Sequence, residues 1–377
     1  MVRPSVIQKF ERVYIDRNSL GSKLVRRIQE LFPQENIEIV DGPPLKDVHG
    51  PLSAREFNRS KRLLYLTEFK GKFFKRCPGS RPGLACCNYF VLNWGLQCDM
   101  NCSYCYLQSF INTPTLTIYT NLNDAFDELR DMREMHNSPL RIGTGETVDS
   151  LSLDEITLFS HELISFFRDY PKWTLEFKTK SDKVDQFLDV EHNGNVIVSW
   201  SINPQNIIEK EEHGTATMQS RLAAAEKCVA KGYQISFHID PMIWHPEWES
   251  SYAGLVDEIA KRFTPQQVPY MSVGALRFQP EQRAMMRERF GMNSYVTTAE
   301  TFSSSDGKLR YDARLRQDMY QKVLTRFKEK DPNWRIFMCM ETPETWVKTE
   351  GSSPFKSEQL KDLFQKINLE GQKQKSC

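Results

Sequence analysis

No stretch of about 18 consecutive apolar residues occurs in this 377-residue chain, so no membrane span is expected. Net charge is nearly absent: 50 Lys and Arg stand against 49 Asp and Glu. That excludes a global basic footprint for nucleic acid and leaves only local charge to consider. The N-terminus, Met1-Val2-Arg3-Pro4-Ser5, has no apolar run behind its charge, so no secretory leader is expected. There is no internal repeat and no low-complexity tract. Cysteine is odd in number, nine, and concentrated toward the N-terminal third. In a chain of this size without a leader, that pattern favours metal ligation in a reducing cytoplasm over disulfides. With 40% hydrophobic and 26% charged residues, the chain has ample material for one large domain or two to three smaller ones.

The dominant feature is Cys98-Asp99-Met100-Asn101-Cys102-Ser103-Tyr104-Cys105, whose cysteines are spaced C-x3-C-x2-C. The apolar run Tyr89-Phe90-Val91-Leu92-Asn93-Trp94 before it reads as a strand, so the cysteines sit in a loop leaving a strand end. Four thiolates would close a tetrahedral metal site; three leave one position open. A [4Fe–4S] cluster held by Cys98, Cys102 and Cys105 keeps one iron free, and chemistry is expected there. Zinc is the alternative, although no fourth ligand follows Cys105 in the same knuckle. Covalent haem is excluded because Tyr106, not histidine, follows the last cysteine. Residues 55–76 concentrate charge: Arg55, Arg59, Lys61, Arg62, Lys70, Lys72, Lys75 and Arg76 against Glu56 and Glu68. The interleaved Phe57, Tyr65, Phe69, Phe73 and Phe74 either stack on bases or pack as a local core.

Periodicity predicts a small α/β opening unit: strands at 12–15 and 37–40 flank a helix over Leu20, Leu24, Val25, Ile28 and Leu31. Residues 41–60 read as a turn-rich linker or mobile loop. Beyond the cysteines, strands at 140–143, 173–178, 196–202, 235–239 and 272–278 alternate with helices near 122–132, 153–169, 216–231 and 256–263. With the strand before the cysteines this makes six parallel strands joined by crossover helices. Six units are too few for an eight-stranded barrel, so the expected fold is α/β with a partial (β/α)6 TIM-like barrel. The expected division is an N-terminal unit and basic linker over 1–85, the partial barrel over 86–280 and a C-terminal helical extension over 281–377. The extension would hold a helix at 312–330, a short strand at 334–338, an amphipathic helix at 357–367 and a frayed tail at 371–377.

The C-x3-C-x2-C loop, with Tyr104 before its last cysteine, resembles the cluster motif of the radical S-adenosylmethionine (SAM) enzymes. Gly143-Thr144-Gly145-Glu146 resembles the element by which those enzymes hold the SAM amino group: glycines admit a close ligand, and a carboxylate accepts from an ammonium. The order and spacing of further segments narrow the resemblance to the spore photoproduct lyase family. These are Tyr104-Cys105-Tyr106-Leu107-Gln108, Ile118-Tyr119-Thr120-Asn121, Thr179-Lys180, His192-Asn193-Gly194, Ser201-Ile202-Asn203 and Trp244-His245-Pro246, and the likeness spans most of residues 12–339. The resemblance implies a [4Fe–4S] cluster, SAM as the source of a 5′-deoxyadenosyl radical, and an external electron donor such as flavodoxin or ferredoxin. It implies that Lys180, Ser201, Asn203, Glu146 and Asp149 contact SAM, with Gly143 and Gly145 in the same element. In the family the radical opens a methylene-bridged thymine dimer in DNA, and a cysteine returns a hydrogen. Tyr104 and Tyr106 stand at the positions of tyrosines that pass the radical back. The family's donor cysteine, however, aligns with Glu146, and a carboxylate cannot donate a hydrogen atom.

Other residues invite a role. Cys339, after a late strand, is a candidate replacement donor. Cys77, Cys86 and Cys87 are candidates for an auxiliary metal site or a thiol near substrate, and Cys228 for the core. His245, Trp244 and Trp248 lie past the fifth strand, where substrate would sit. Arg283, Arg287 and Arg289 are candidates for phosphate contacts. Three functions follow: a lyase of this family acting on damaged DNA, a radical SAM enzyme acting on another nucleotide or RNA, or a non-enzymatic iron–sulfur or zinc protein that binds nucleic acid.

Overall fold

A computed structural model describes residues 6–46, 48–135 and 138–364. A five-stranded sheet is built from β1 (Arg12–Asp16), β2 (Ile37–Val40), β3 (Leu63–Thr67), β6 (Gly95–Leu96) and β8 (Leu116–Tyr119), in the order β2-β1-β3-β8-β6. All its pairs are parallel except β6 with β8. α1 (Lys23–Leu31) crosses between β1 and β2; Ser22 caps it, accepting the Val25 N–H, and Leu24, Val25 and Ile28 form its buried face. The predicted opening unit is thus present. β3 and β8 were not expected, and β8 is supplied from beyond the cysteines. A cut at residue 85 would leave this sheet without two of its five strands.

The second sheet has the order β18-β14-β13-β11-β10-β9-β5-β4 and curls into a half-barrel. Its strands are β4 (Phe74–Arg76), β5 (Tyr89–Leu92), β9 (Leu140–Gly143), β10 (Trp173–Thr179), β11 (Val196–Ser201), β13 (Gln234–Met242), β14 (Met271–Ala275) and β18 (Ile336–Met338). Each parallel strand neighbours the next one in the chain, as a singly wound barrel requires. The six predicted strands are all there. The strand at 336–338 joins as a seventh parallel strand beside β14, and β4 adds an antiparallel edge. β11 is buried throughout, as a strand covered on both faces must be. One apolar core runs through both sheets, from Val13 and Ile15 to Val198 and Leu324.

The helices are α2 (Ala54–Ser60), α3 (Leu122–Met135), α4 (Asp154–Thr157), α5 (Phe159–Arg168), α6 (Gln205–Glu211), α7 (Met218–Ala230), α8 (Trp248–Arg262), α9 (Gln282–Phe290), α10 (Ala313–Lys330), α11 (Pro343–Glu350) and α12 (Lys361–Phe364). The expected linker at 41–60 contains α2, opened by a full capping box between Ser53 and Glu56. The helix expected over 153–169 is broken at Leu158, which adopts φ 51°. The strand expected over 272–278 stops at Ala275. Arg277–Phe278 (β15) instead turns into a small antiparallel sheet with β16 (Phe302–Ser303) and β17 (Leu309–Arg310). A last pair, β7 (Asn101–Cys102) and β12 (Glu212–His213), ties the cysteine loop to the α6–α7 connection. The final helix is short among the described residues, and the tail at 371–377 lies outside them. No helix among the described residues is long and apolar enough to cross a membrane.

Candidate functional site

Cys98, Cys102 and Cys105 lie on an excursion between β6 and β8, both strands of the first sheet, rather than directly off barrel strand β5. The excursion is pinned from several sides. Lys61, the C-cap of α2, is only 7% exposed, and its ammonium donates to the Cys98 and Met100 carbonyls at 2.7 Å. Gln97, at φ 80°, donates through Nε2 to Ser60 Oγ (3.1 Å) and accepts the Cys98 N–H (3.1 Å). Asp99 is ion-paired with Lys9 (2.5 Å) and accepts from Ser152 Oγ (2.6 Å). Ser103 N–H donates to the Glu211 carbonyl at 2.8 Å. From α9, Arg289 donates to Gln108 (2.6 Å), Asn58 (3.0 Å) and Asn101. Burial pushes the Cys102 thiol up to about 12 and raises Cys98 as well.

Across β7 and β12 the loop meets the barrel strand ends. Tyr104 OH donates to Glu212 Oε1 at 2.5 Å. Asn203 donates to the same oxygen (2.9 Å), Arg221 pairs with Oε2 (2.7 Å), and the Lys180 ammonium stands 3.5 Å away. Lys180 also donates to Ser201 Oγ. Tyr252 OH donates to Asn203 Oδ1 at 2.9 Å. Three sequence candidates, Lys180, Ser201 and Asn203, are therefore brought together with Tyr104 around Glu212. Burial pushes the Glu212 carboxyl up, but Lys180, Arg221 and the hydrogen bonds outweigh it and hold it near about 2. Glu212 and Arg221 were missed by sequence reasoning, because only the β7–β12 pairing brings them to the cysteine loop.

At the end of β9, Tyr106 OH donates to the Glu146 carbonyl at 2.9 Å. The two tyrosines thus diverge: Tyr104 faces Glu212, and Tyr106 faces Glu146. The Glu146 side chain is 12% exposed, and its Oε2 has no hydrogen bond, although Lys75 Nζ stands 3.2 Å away. The glycines have an internal reason. A Cβ at Gly143 would stand 1.5 Å from Tyr89 Oη, and one at Gly145 would stand 2.5 Å from the Lys178 carbonyl. They allow close packing against the protein itself. Gly143→Ala is expected to cost about 2–4 kcal/mol in urea unfolding, since both the Tyr89 ring and β9 must shift. Asp149 is fully engaged: it accepts from Leu151 N–H (3.0 Å), Ser152 N–H (2.9 Å), Thr179 Oγ1 (2.6 Å) and Lys180 N–H (2.8 Å). It fastens the β9 loop to the end of β10.

The remaining candidates divide. His245 is buried and turned inward to Ser251 and Asn206 (3.1 and 3.2 Å); the exposed side chain of that motif is Trp244. Trp248 and Cys228 are buried in the core. Arg283 donates to Thr301, Arg287 donates to the Thr297 carbonyl, and Arg289 is taken up by the cysteine loop. Phe57, Tyr65, Phe73 and Phe74 are buried, and Phe69 stacks on Tyr119 at 4.4 Å, so the aromatics of 55–76 pack rather than wait for bases. Cys339 lies past β18 with Arg277 3.9 Å from its sulfur. Two shallow surface clefts are lined by Phe69, Lys70 and Asp124 and, beside the cysteine loop, by His49, Gln108 and Glu281.

The sequence profile described as spore photoproduct lyase matches residues 9–327. The chain belongs to the spore photoproduct lyase family. It is therefore a radical SAM enzyme of the lyase type. Spore photoproduct lyase of Geobacillus sp. (strain Y412MC61) is 28% identical over 252 residues, covering 66% of this chain and 73% of the relative. That of Bacillus subtilis (strain 168) is 27% identical, covering 66% and 72%. A double mutant of spore photoproduct lyase with bound AdoMet and dinucleoside spore photoproduct shares the fold. It has a TM-score of 0.75 and 22% identity, covering 88% of this chain and 98% of its own. Spore photoproduct lyase complexed with dinucleoside spore photoproduct gives a TM-score of 0.74 at 23% identity, covering 87% and 98%.

The residues present fit the groups this family implies. Three thiols within eight residues match a cluster with three protein ligands. Among the described residues no three His, Cys, Asp or Glu side chains converge on one point. A single ion would need that; a cluster does not, since each thiolate binds a different iron. Glu146 Oε2 has no hydrogen bond and faces the Lys75 ammonium at 3.2 Å, so the carboxylate suits a cationic group such as a ligand ammonium.

Proposed function

We propose that this chain uses SAM and a [4Fe–4S] cluster to open a methylene-bridged thymine photolesion in DNA. The supporting observation is the convergence of Tyr104, Lys180 and Asn203 on Glu212, with Ser201 bonded to Lys180, joined through β7 and β12 to the three-cysteine loop. Cys98, Cys102 and Cys105 would hold the cluster. Glu146 would accept from the SAM ammonium, with Gly143 and Gly145 shaping the turn and Asp149 fixing it to β10. Lys180, Ser201 and Asn203 would face the rest of SAM. When bound, cluster and SAM supply an electron and a primary carbon radical able to abstract hydrogen from an unactivated carbon. The chain's own residues orient SAM, exclude water and hold the lesion close to it. Tyr106 and Tyr104 would return the radical, and a lumen thiol, Cys339 among the candidates, would supply the closing hydrogen. An external donor such as flavodoxin or ferredoxin would deliver the electron in the reducing cytoplasm.

The test is anaerobic reconstitution followed by SAM, reductant and an oligonucleotide bearing the lesion. Formation of 5′-deoxyadenosine with recovery of thymine supports the reading; SAM cleavage without thymine recovery sinks the lesion as substrate. One residue favours a second reading, another nucleotide or RNA as substrate: Glu146 stands where the family carries its donor thiol.

A further inference from the structure

We infer that Cys77, on the barrel's antiparallel edge strand, is the thiol that gives the closing hydrogen atom to the substrate-derived carbon radical; this deepens and rests on the function proposed above. The argument begins with which side chains face the lumen. Residues paired across neighbouring strands share a face. The registers Val91↔Gly143, Gly143↔Glu176, Ser201↔His238, His238↔Ser272 and Ser272↔Phe337 trace one such face around the sheet. It is the polar one: Glu176 accepts from Ser199 Oγ and Tyr270 OH at 2.7 Å, and His238 Nε2 bonds it at 2.7 Å. On β4, Lys75 pairs with Val91, which puts Lys75 on this face. Cys77 N–H donates to the Tyr89 carbonyl at 2.9 Å, which extends that ladder, so Cys77, two residues on, faces the lumen too.

At the opposite lip, Cys339 N–H donates to the Val273 carbonyl at 2.8 Å and continues β18, two residues past Phe337. The half-barrel is open between β18 and β4, and the segment after β4 bridges the gap. Ala85 N–H donates to the Glu341 carbonyl at 3.0 Å, and a Cβ at Gly79 would touch Met340 Sδ (3.1 Å) and Cys77 Sγ (3.4 Å). Two thiols therefore face the lumen from the two lips of one seam.

Their surroundings distinguish them. Cys339 sits against the Arg277 guanidinium, which is paired with Asp240 at 2.9 Å. Cys77 shares its face with Lys75, whose half-exposed ammonium meets the Glu146 carboxylate at 3.2 Å, and the Glu146 carbonyl holds Tyr106 OH. Cys77 is thus on the side of the lumen where Glu146 and Tyr106 meet. Burial pushes both thiols up, Cys77 to about 11 and Cys339 to about 12, which keeps the hydrogen on either sulfur at neutral pH, so the choice between them rests on position. In the step, the Cys77 S–H bond breaks and a C–H bond forms, leaving a thiyl radical. The thiyl takes a hydrogen atom from Tyr106 O–H, and the phenoxyl is returned to tyrosine by one electron from the external donor and one proton from solvent, so each turnover consumes two electrons in all and leaves one 5′-deoxyadenosine.

The reconstituted enzyme is run in D2O, where thiol hydrogens exchange, with a methylene-bridged thymine dinucleotide. Wild type should recover thymine carrying solvent deuterium. Cys77→Ala and Cys77→Ser should lose that deuterium by about tenfold or more while still forming 5′-deoxyadenosine. A second readout needs no turnover: N-ethylmaleimide labelling of Cys77, mapped by mass spectrometry, should slow severalfold with the dinucleotide bound. If wild type recovers no thymine, the functional reading fails. If wild type and Cys77→Ala both give deuterated thymine, or labelling is indifferent to the dinucleotide, only the assignment of Cys77 is overturned.

Discussion

Replacing any one of Cys98, Cys102 and Cys105 by alanine is expected to cut iron retained after reconstitution, and 5′-deoxyadenosine formed, by about a hundredfold or more. Partners that merely orient a ligand cost about 10–100-fold when removed, so loss of a ligand itself sets a higher floor. Lys61→Met supplies the contrast. It keeps the length of the side chain but deletes the ammonium, which holds the Cys98 and Met100 carbonyls and lies 4.7 Å over the Phe57 ring. Iron retention should fall by about 10–100-fold with secondary structure intact by circular dichroism. Equal iron content in Lys61→Met and wild type would show that the excursion holds its shape without that clamp.

Glu212→Ala is expected to be the most destabilising single change, at about 3–5 kcal/mol by urea or thermal unfolding. The change leaves the fully buried Arg221 guanidinium without its counter-charge and strips Tyr104, Asn203 and Lys180 of a shared acceptor. The same carboxylate makes stability depend on pH. In the unfolded chain a glutamate titrates near about 4.3, whereas here Glu212 is held near about 2. Its contribution is complete above the unfolded value and is lost as pH falls from about 4.5 toward about 2, because protonation then favours the unfolded chain. The span corresponds to roughly 3 kcal/mol. Glu212→Gln should flatten that part of the pH profile, and an unchanged acid limb would reassign it to other carboxylates.

The barrel was legible because each of its strands is an apolar run or alternation followed by a periodic helix, and that pattern has few topological solutions. The seventh strand, at 336–338, was visible as a strand; its place beside β14 was not, because a whole antiparallel excursion separates the two. α2 was hidden by the turn residues Gly42, Pro43, Pro44, Gly50 and Pro51 before it, though Ser53-x-x-Glu56 carried the capping-box signal. The break at Leu158 had no signal, since leucine rarely takes a left-handed conformation. In the site, spacing sufficed to single out the cysteines and the strand-end polar residues. It gave no hint of Glu212, more than a hundred residues from Tyr104. Nor did it show that the ring of Tyr89 and the backbone of β10 demand glycine at 143 and 145.

The interleaving of the two sheets has a consequence for biosynthesis. The chain enters the barrel at β4 and β5, returns to the first sheet at β6, makes the cysteine excursion, and seals that sheet only at β8. As the polypeptide leaves the ribosome, the first sheet cannot close until residues 116–119 have emerged, and by then all three cysteines have been translated between two of its strands. The ligand loop is thus anchored at both ends by the earliest unit able to fold, while the partner segment at 212–213 arrives about a hundred residues later. A nascent chain stalled near residue 150 would carry the excursion with its β6 and β8 anchors in place and its β12 clasp still missing, which defines a window in which the thiols are gathered but not yet enclosed.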